Sequence, residues 1–105
     1  MRIMVNIQLE LQPQTEECLR KVLALYYNQE VFAQNIIAYQ IAELKRALFN
    51  IRLDLQQFEQ KYQLTTEEFY QQFQTGSIED TEDVMTWAGI YEMFQKNTRN
   101  LQELQ

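Results

Sequence analysis

Residues 31–62 read VFAQNIIAYQIAELKRALFNIRLDLQQFEQKY, and their periodicity decides the fold. From Ile37 onward a large apolar residue recurs in alternating steps of four and three: Ile37, Ile41, Leu44, Leu48, Ile51, Leu55, Phe58 and Tyr62. This is an unbroken a/d heptad seam, a pattern that keeps one stripe of an α-helix turned toward a partner surface. No Gly or Pro interrupts it. At about 1.5 Å per residue the seam is roughly 39 Å long. A helix of that length needs cover from a second copy, from the rest of the chain or from another protein.

Downstream of the seam the signals are local. Thr65 followed by Glu68 forms a capping box, with Leu64 placed to staple against Phe69. The short helix that follows ends at Gly76, a natural residue for the left-handed position after a helix. The acids Glu79, Asp80, Glu82 and Asp83 lead into a last helix carrying Val84, Trp87, Tyr91 and Phe94 on one face. That helix is expected to fray over residues 97–100, with Leu101 and Leu104 as its last anchors. The acidic run lacks the spacing and central Gly of a calcium loop, so helix capping is its better account and no metal site is assigned.

Upstream, residues 2–11 alternate. Ile3, Val5, Ile7, Leu9 and Leu11 are apolar, whereas Arg2, Asn6, Gln8 and Glu10 are polar, with Met4 the exception. Period-two alternation rich in β-branched residues reads as a half-buried strand. A lone strand leaves its backbone unpaired, which calls for a second copy. Pro13 suits the first turn of a helix running to about Tyr27, and Asn28 can cap the next one. The expected fold class is therefore mainly α: one strand, two helices with a long second helix, and two further C-terminal helices.

Composition narrows the function classes. Apolar residues make up 46% of the 105-residue chain, too many for a disordered protein. Two Gly and one Pro favour long helices over a many-stranded sheet. There is no His, and the only Cys lies in an amphipathic helical stretch, so a nucleophilic triad or thiolate pair cannot be assembled. No catalytic residue and no cofactor is assigned. Cysteine usage, the lack of a signal-like apolar start and the lack of a membrane-length apolar run lead to the expectation of a soluble cytoplasmic protein. Residues 1–62 balance seven basic against seven acidic side chains, whereas residues 63–105 set two against eight and so carry the whole net charge of −6. Such asymmetry points to two surfaces with different partners.

Strand, helix, short turn and helix in this order make residues 2–48 resemble ribbon-helix-helix repressors, specifically the DNA-binding half of bacterial antitoxins. The resemblance implies a homodimer whose two strands enter the DNA major groove as a ribbon. The base readers would be Arg2, Met4, Asn6 and Gln8, and the dimer core Ile3, Val5, Ile7 and Leu9 together with Ile37 and Ile41. Glu10 continues the reading face and Glu30 opens the second helix, both where the family meets phosphate. The stretch Glu68-Phe69-Tyr70-x-x-Phe73-x-x-Gly76, then Asp83-x-x-x-Trp87-x-x-x-Tyr91, is similar to a pattern in small prokaryotic proteins that pair with toxins.

Together these readings lead to an expected division into residues 1–48, for dimerisation and operator DNA, and residues 49–105, for a toxin partner. The partner-binding side chains would be Phe69, Phe73, Trp87, Tyr91 and Phe94, since Trp and Tyr are common interface anchors. Gly89, in the middle of a helix, suggests close approach of another backbone. In the free protein, residues 65–96 are expected to fold back along the long helix, of the same or a neighbouring chain, with a partner competing for or extending that surface. The fold-back has an energetic motive, because leaving Leu48, Ile51, Leu55, Phe58 and Tyr62 in water forgoes roughly 1.5–3 kcal/mol per side chain. The expected function is that of an antitoxin, which neutralises a toxin by stoichiometric binding and represses its own operon. The alternative is a helical oligomerisation or adaptor protein without DNA binding.

Overall fold

In a computed structural model covering Met1–Gln105, the chain consists of four α-helices. They are α1 (Pro13–Ala24), α2 (Gln29–Tyr62), α3 (Thr66–Gln74) and α4 (Glu82–Leu104). No strand is present. The expected ribbon-helix-helix half is therefore corrected: residues 1–12 belong to no regular element, and no backbone hydrogen bond ties residues 1–11 to another segment. The physical reason is that alternation specifies which side of a strand would be buried but cannot supply a ladder partner. No second strand-forming segment exists in the chain to provide one.

Two compact units divide at Ile36/Ile37, within α2. In residues 1–36, Pro13 occupies the start of α1, and that helix closes through Leu25 N–H to Val22 O and Tyr26 N–H to Leu23 O. These tight last-turn bonds satisfy carbonyls that the helix end would otherwise leave bare. Asn28 then caps α2, its Oδ1 accepting from the Glu30 N–H at 2.9 Å. Tyr26 packs edge-on against Phe32 at 5.2 Å, and its hydroxyl accepts from Asn35 Nδ2.

In residues 37–105 the middle of the heptad seam, from Leu44 to Phe58, is covered by the chain itself, while Ile37 and Tyr62 at its ends stay exposed. Ile51 and Leu55 from α2, Phe69 from α3, and Val84, Trp87 and Ala88 from α4 form one core. Phe58, Leu64, Phe73, Ile78, Tyr91 and Phe94 pack against it. Phe58 and Tyr62 stack with Trp87, and Arg52 lies over the Phe94 ring, so α2 and α4 run antiparallel. That register carries Leu44, also buried, toward the last turn of α4. It runs out near Ile41, because α4 has 23 residues against 34 in α2.

Two helix ends use the left-handed region. Gly76 (φ 72°) ends α3, with Ser77 N–H bonded to Gln72 O; Gln63 (φ 52°) ends α2, with Leu64 N–H bonded to Glu59 O. Both are Schellman closures, one on the expected glycine and one on a side-chain-bearing residue. Thr65 and Thr81 cap α3 and α4 by accepting from the Glu68 and Val84 amides. Helix α4 does not fray at residues 97–100 but runs on to Leu104, with Leu101 half-buried.

Candidate functional site

The aromatic cluster around Trp87 is built from three helices. Trp87 stacks on Phe69 with ring centroids 3.8 Å apart and planes within 2° of parallel, and lies 5.5 Å from Phe58 and 5.8 Å from Tyr62. The indole Nε1–H donates to Thr66 Oγ1 at 3.1 Å. The Thr66 amide donates to Glu59 Oε2 at 2.8 Å, so a single buried threonine links the start of α3 to both α2 and α4. Phe69 and Trp87, at 0% and 1% exposure, are core side chains of the isolated chain. Phe73, Tyr91 and Phe94 are half-buried around them. A partner meeting this unit would touch its rim rather than its centre.

One edge of that rim carries a polar clamp. Asp83 accepts from the Lys61 ammonium at 2.7 Å and from the Tyr62 hydroxyl. These donors hold the Asp83 carboxyl below its ordinary range, the Lys61 contribution being the larger. The bond to Asp83 in turn raises both Lys61 and Tyr62. On the opposite side of α4, Tyr70 donates to Glu92 at 3.1 Å and meets Tyr91 edge-on. Its hydroxyl is raised first by burial and then by that carboxylate.

Beside the clamp opens a cavity of about 320 Å³. Tyr62, Leu64, Ile78 and Val84 give it apolar walls over Trp87, while Glu79 and Thr81 supply a polar edge. The sequence reading did not identify it. Its only advance signal is Ile78, a large aliphatic residue stranded between Gly76 and the acidic run, where a turn would ordinarily be polar.

Residues 1–36 present the opposite situation, for not one of them is buried. Ile3, Val5, Ile7 and Leu9 are each more than 60% exposed, with Leu25 at 84%. Arg2, Met4, Asn6 and Gln8 are likewise exposed and lie on no element. Of the two seam positions assigned to a dimer core, Ile37 is 47% exposed and Ile41 is half-buried. Gly89 faces open space, with nothing within 4 Å of where a Cβ would stand, so no backbone of this chain approaches it. No helix is long and apolar enough to cross a membrane.

With this geometry in view, comparison with protein-family models, curated proteins and solved structures gives no match.

Proposed function

We propose that the chain acts by stoichiometric protein association rather than by catalysis, as a helical oligomerisation and partner-binding protein. Residues 37–105 serve as a self-sufficient folded body, and residues 1–36 contribute the surface through which two copies associate. One observation carries this reading: the N-terminal unit exposes a dense set of large apolar side chains and buries none. Burying each of them fully is worth roughly 1.5–3 kcal/mol. Scattered exposed apolar residues are ordinary, whereas a whole unit without a core is not.

The antitoxin version of this function, in which the second partner is a toxin held by masking, is favoured by the charge distribution. All the excess negative charge lies in residues 63–105, suited to a basic partner protein. Operator binding is left out of the proposal. Its readers stand on no strand, and residues 1–62 are electrically neutral, without the basic footprint of a duplex binder.

Sedimentation equilibrium tests the association. The wild type is expected to dimerise, and Ile7→Lys and Leu25→Lys, at positions 75% and 84% exposed in the single chain, should dissociate it while Trp87 emission shows residues 37–105 still folded. A wild type that stays monomeric at millimolar concentration would refute the proposal.

A further inference from the structure

We infer that the cavity between Tyr62, Ile78 and Val84 receives a large aliphatic side chain presented by a polypeptide segment that carries Lys or Arg beside it. The inference rests on the stoichiometric-binding reading above and deepens it by placing the basic partner on a specific feature of the C-terminal unit. At about 320 Å³ the cavity is large enough to admit a Leu, Ile or Met side chain. Four aliphatic or aromatic residues form its walls, so an apolar group is what it desolvates favourably.

The flanking charge comes from the surroundings. Glu79 is the one charged residue in the cavity lining, and it opens the run Glu79, Asp80, Glu82 and Asp83 that contains no Lys or Arg. Lys61 is already engaged by Asp83. Helix capping accounts for only part of the acidic run. Glu82 and Asp83 occupy the first turn of α4, where the helix dipole favours them. Glu79 and Asp80 precede the Thr81 cap, are exposed, and make no ion pair within the chain. Glu79 also lines the cavity itself. An acidic segment would be repelled by Glu79, whereas a cation beside the anchor would be attracted to it. An aliphatic anchor with an adjacent cation satisfies the walls and the rim together.

Trp87 lines this cavity and is the only tryptophan of the chain, so its emission reports occupancy. The probe is an amphipathic Leu–Lys peptide lacking Trp and Tyr, titrated into the full-length protein. Two controls accompany it, one with Glu replacing every Lys and one with Ser replacing every Leu. A saturable change in Trp87 emission is expected with the Leu–Lys peptide and with neither control. Its affinity should weaken roughly threefold to tenfold in Glu79→Lys, as expected for reversing one rim charge. Equal responses to either control peptide, or an unchanged affinity in Glu79→Lys, would overturn the inference. Sedimentation of the same samples keeps the two readings apart. A dimer that ignores the Leu–Lys peptide defeats only the cavity assignment, and a monomer that binds it defeats only the dimer.

Discussion

Thr66→Val is the sharpest perturbation of the folded unit. Thr66 Oγ1 is the sole hydrogen-bond acceptor for Trp87 Nε1–H, at 3.1 Å, and both residues are at most 2% exposed. No buried side-chain nitrogen or oxygen lacks a partner in the native chain. Valine keeps the branched shape but offers no acceptor, so the indole N–H is left buried and unpaired, at a cost of about 1–3 kcal/mol. The Thr66 amide keeps its bond to Glu59, so the start of α3 stays anchored and the loss reports the side chain alone. For a domain of this size each kcal/mol lowers Tm by about 4–8 °C. Urea unfolding followed by circular dichroism measures the loss, and exchange of the indole proton locates it. Trp87→Phe in the Thr66→Val background completes a cycle, in which the second substitution should cost less than it does alone. A Thr66→Val protein within about 0.3 kcal/mol of wild type, with its indole proton equally protected, would refute the reasoning.

The two left-handed helix ends predict opposite signs. Gly76→Ala should destabilise by about 1 kcal/mol, from φ alone since nothing crowds the site, whereas Gln63→Gly should stabilise by up to about 1 kcal/mol. Thermal melts of both variants check this. Gly89→Ala should raise stability by roughly 0.5–1 kcal/mol, because the position is helical and open. A loss of stability there would mean that something packs against it. The Asp83 clamp predicts a pH window. With the folded Asp83 carboxyl lowered, its contribution is present above the ordinary carboxylate range and is lost as pH falls through the lowered value. Lys61 and Tyr62, both raised, contribute below their ordinary values near 10 and lose that contribution as pH rises through the raised ones. Asp83→Asn should therefore flatten both limbs of the stability–pH curve, and unchanged limbs would rule the clamp out.

Much of the C-terminal unit was legible because its signals are local or periodic. Leu44, Ile51 and Leu55, the buried residues of α2, are all a/d positions, and the Thr65 cap and Gly76 closure follow from single-residue chemistry. Phe69 and Trp87 were ambiguous because large aromatics serve cores and interfaces equally well. Packing by Phe69 and Phe58 buries Trp87, and a hydroxyl 21 residues away satisfies its indole N–H, a contact no periodicity encodes. Gln63 carried no signal for φ > 0. The helical run through residues 97–100 was hidden by its polar composition, although Thr98 satisfies its hydroxyl on Phe94 O and Leu101 finds cover. The strand reading failed for a different reason. Alternation in residues 3–11 describes what a surface would look like once paired, and pairing is a property of an assembly rather than of the segment.

That distinction bears on how the N-terminal unit can be stable at all. Helix α1 has 12 residues and no buried side chain. A helix of that length is marginal in water on its own, and most helical stability in proteins comes from packing an apolar face. Edge contact of Tyr26 with Phe32 and the Asn28 cap contribute locally, but each is worth only about 1 kcal/mol. The first part of α2 has an advantage that α1 lacks, since it propagates from turns already held against α4, and extending a helix costs far less than starting one. α1 must be nucleated afresh on the N-terminal side of Leu25. Its order is therefore the part of this chain most dependent on burial supplied from outside. Under the proposed function, association of residues 1–36 and ordering of α1 are one equilibrium, which is why Leu25→Lys, at the C-cap of α1, should dissociate the dimer as effectively as Ile7→Lys in the arm.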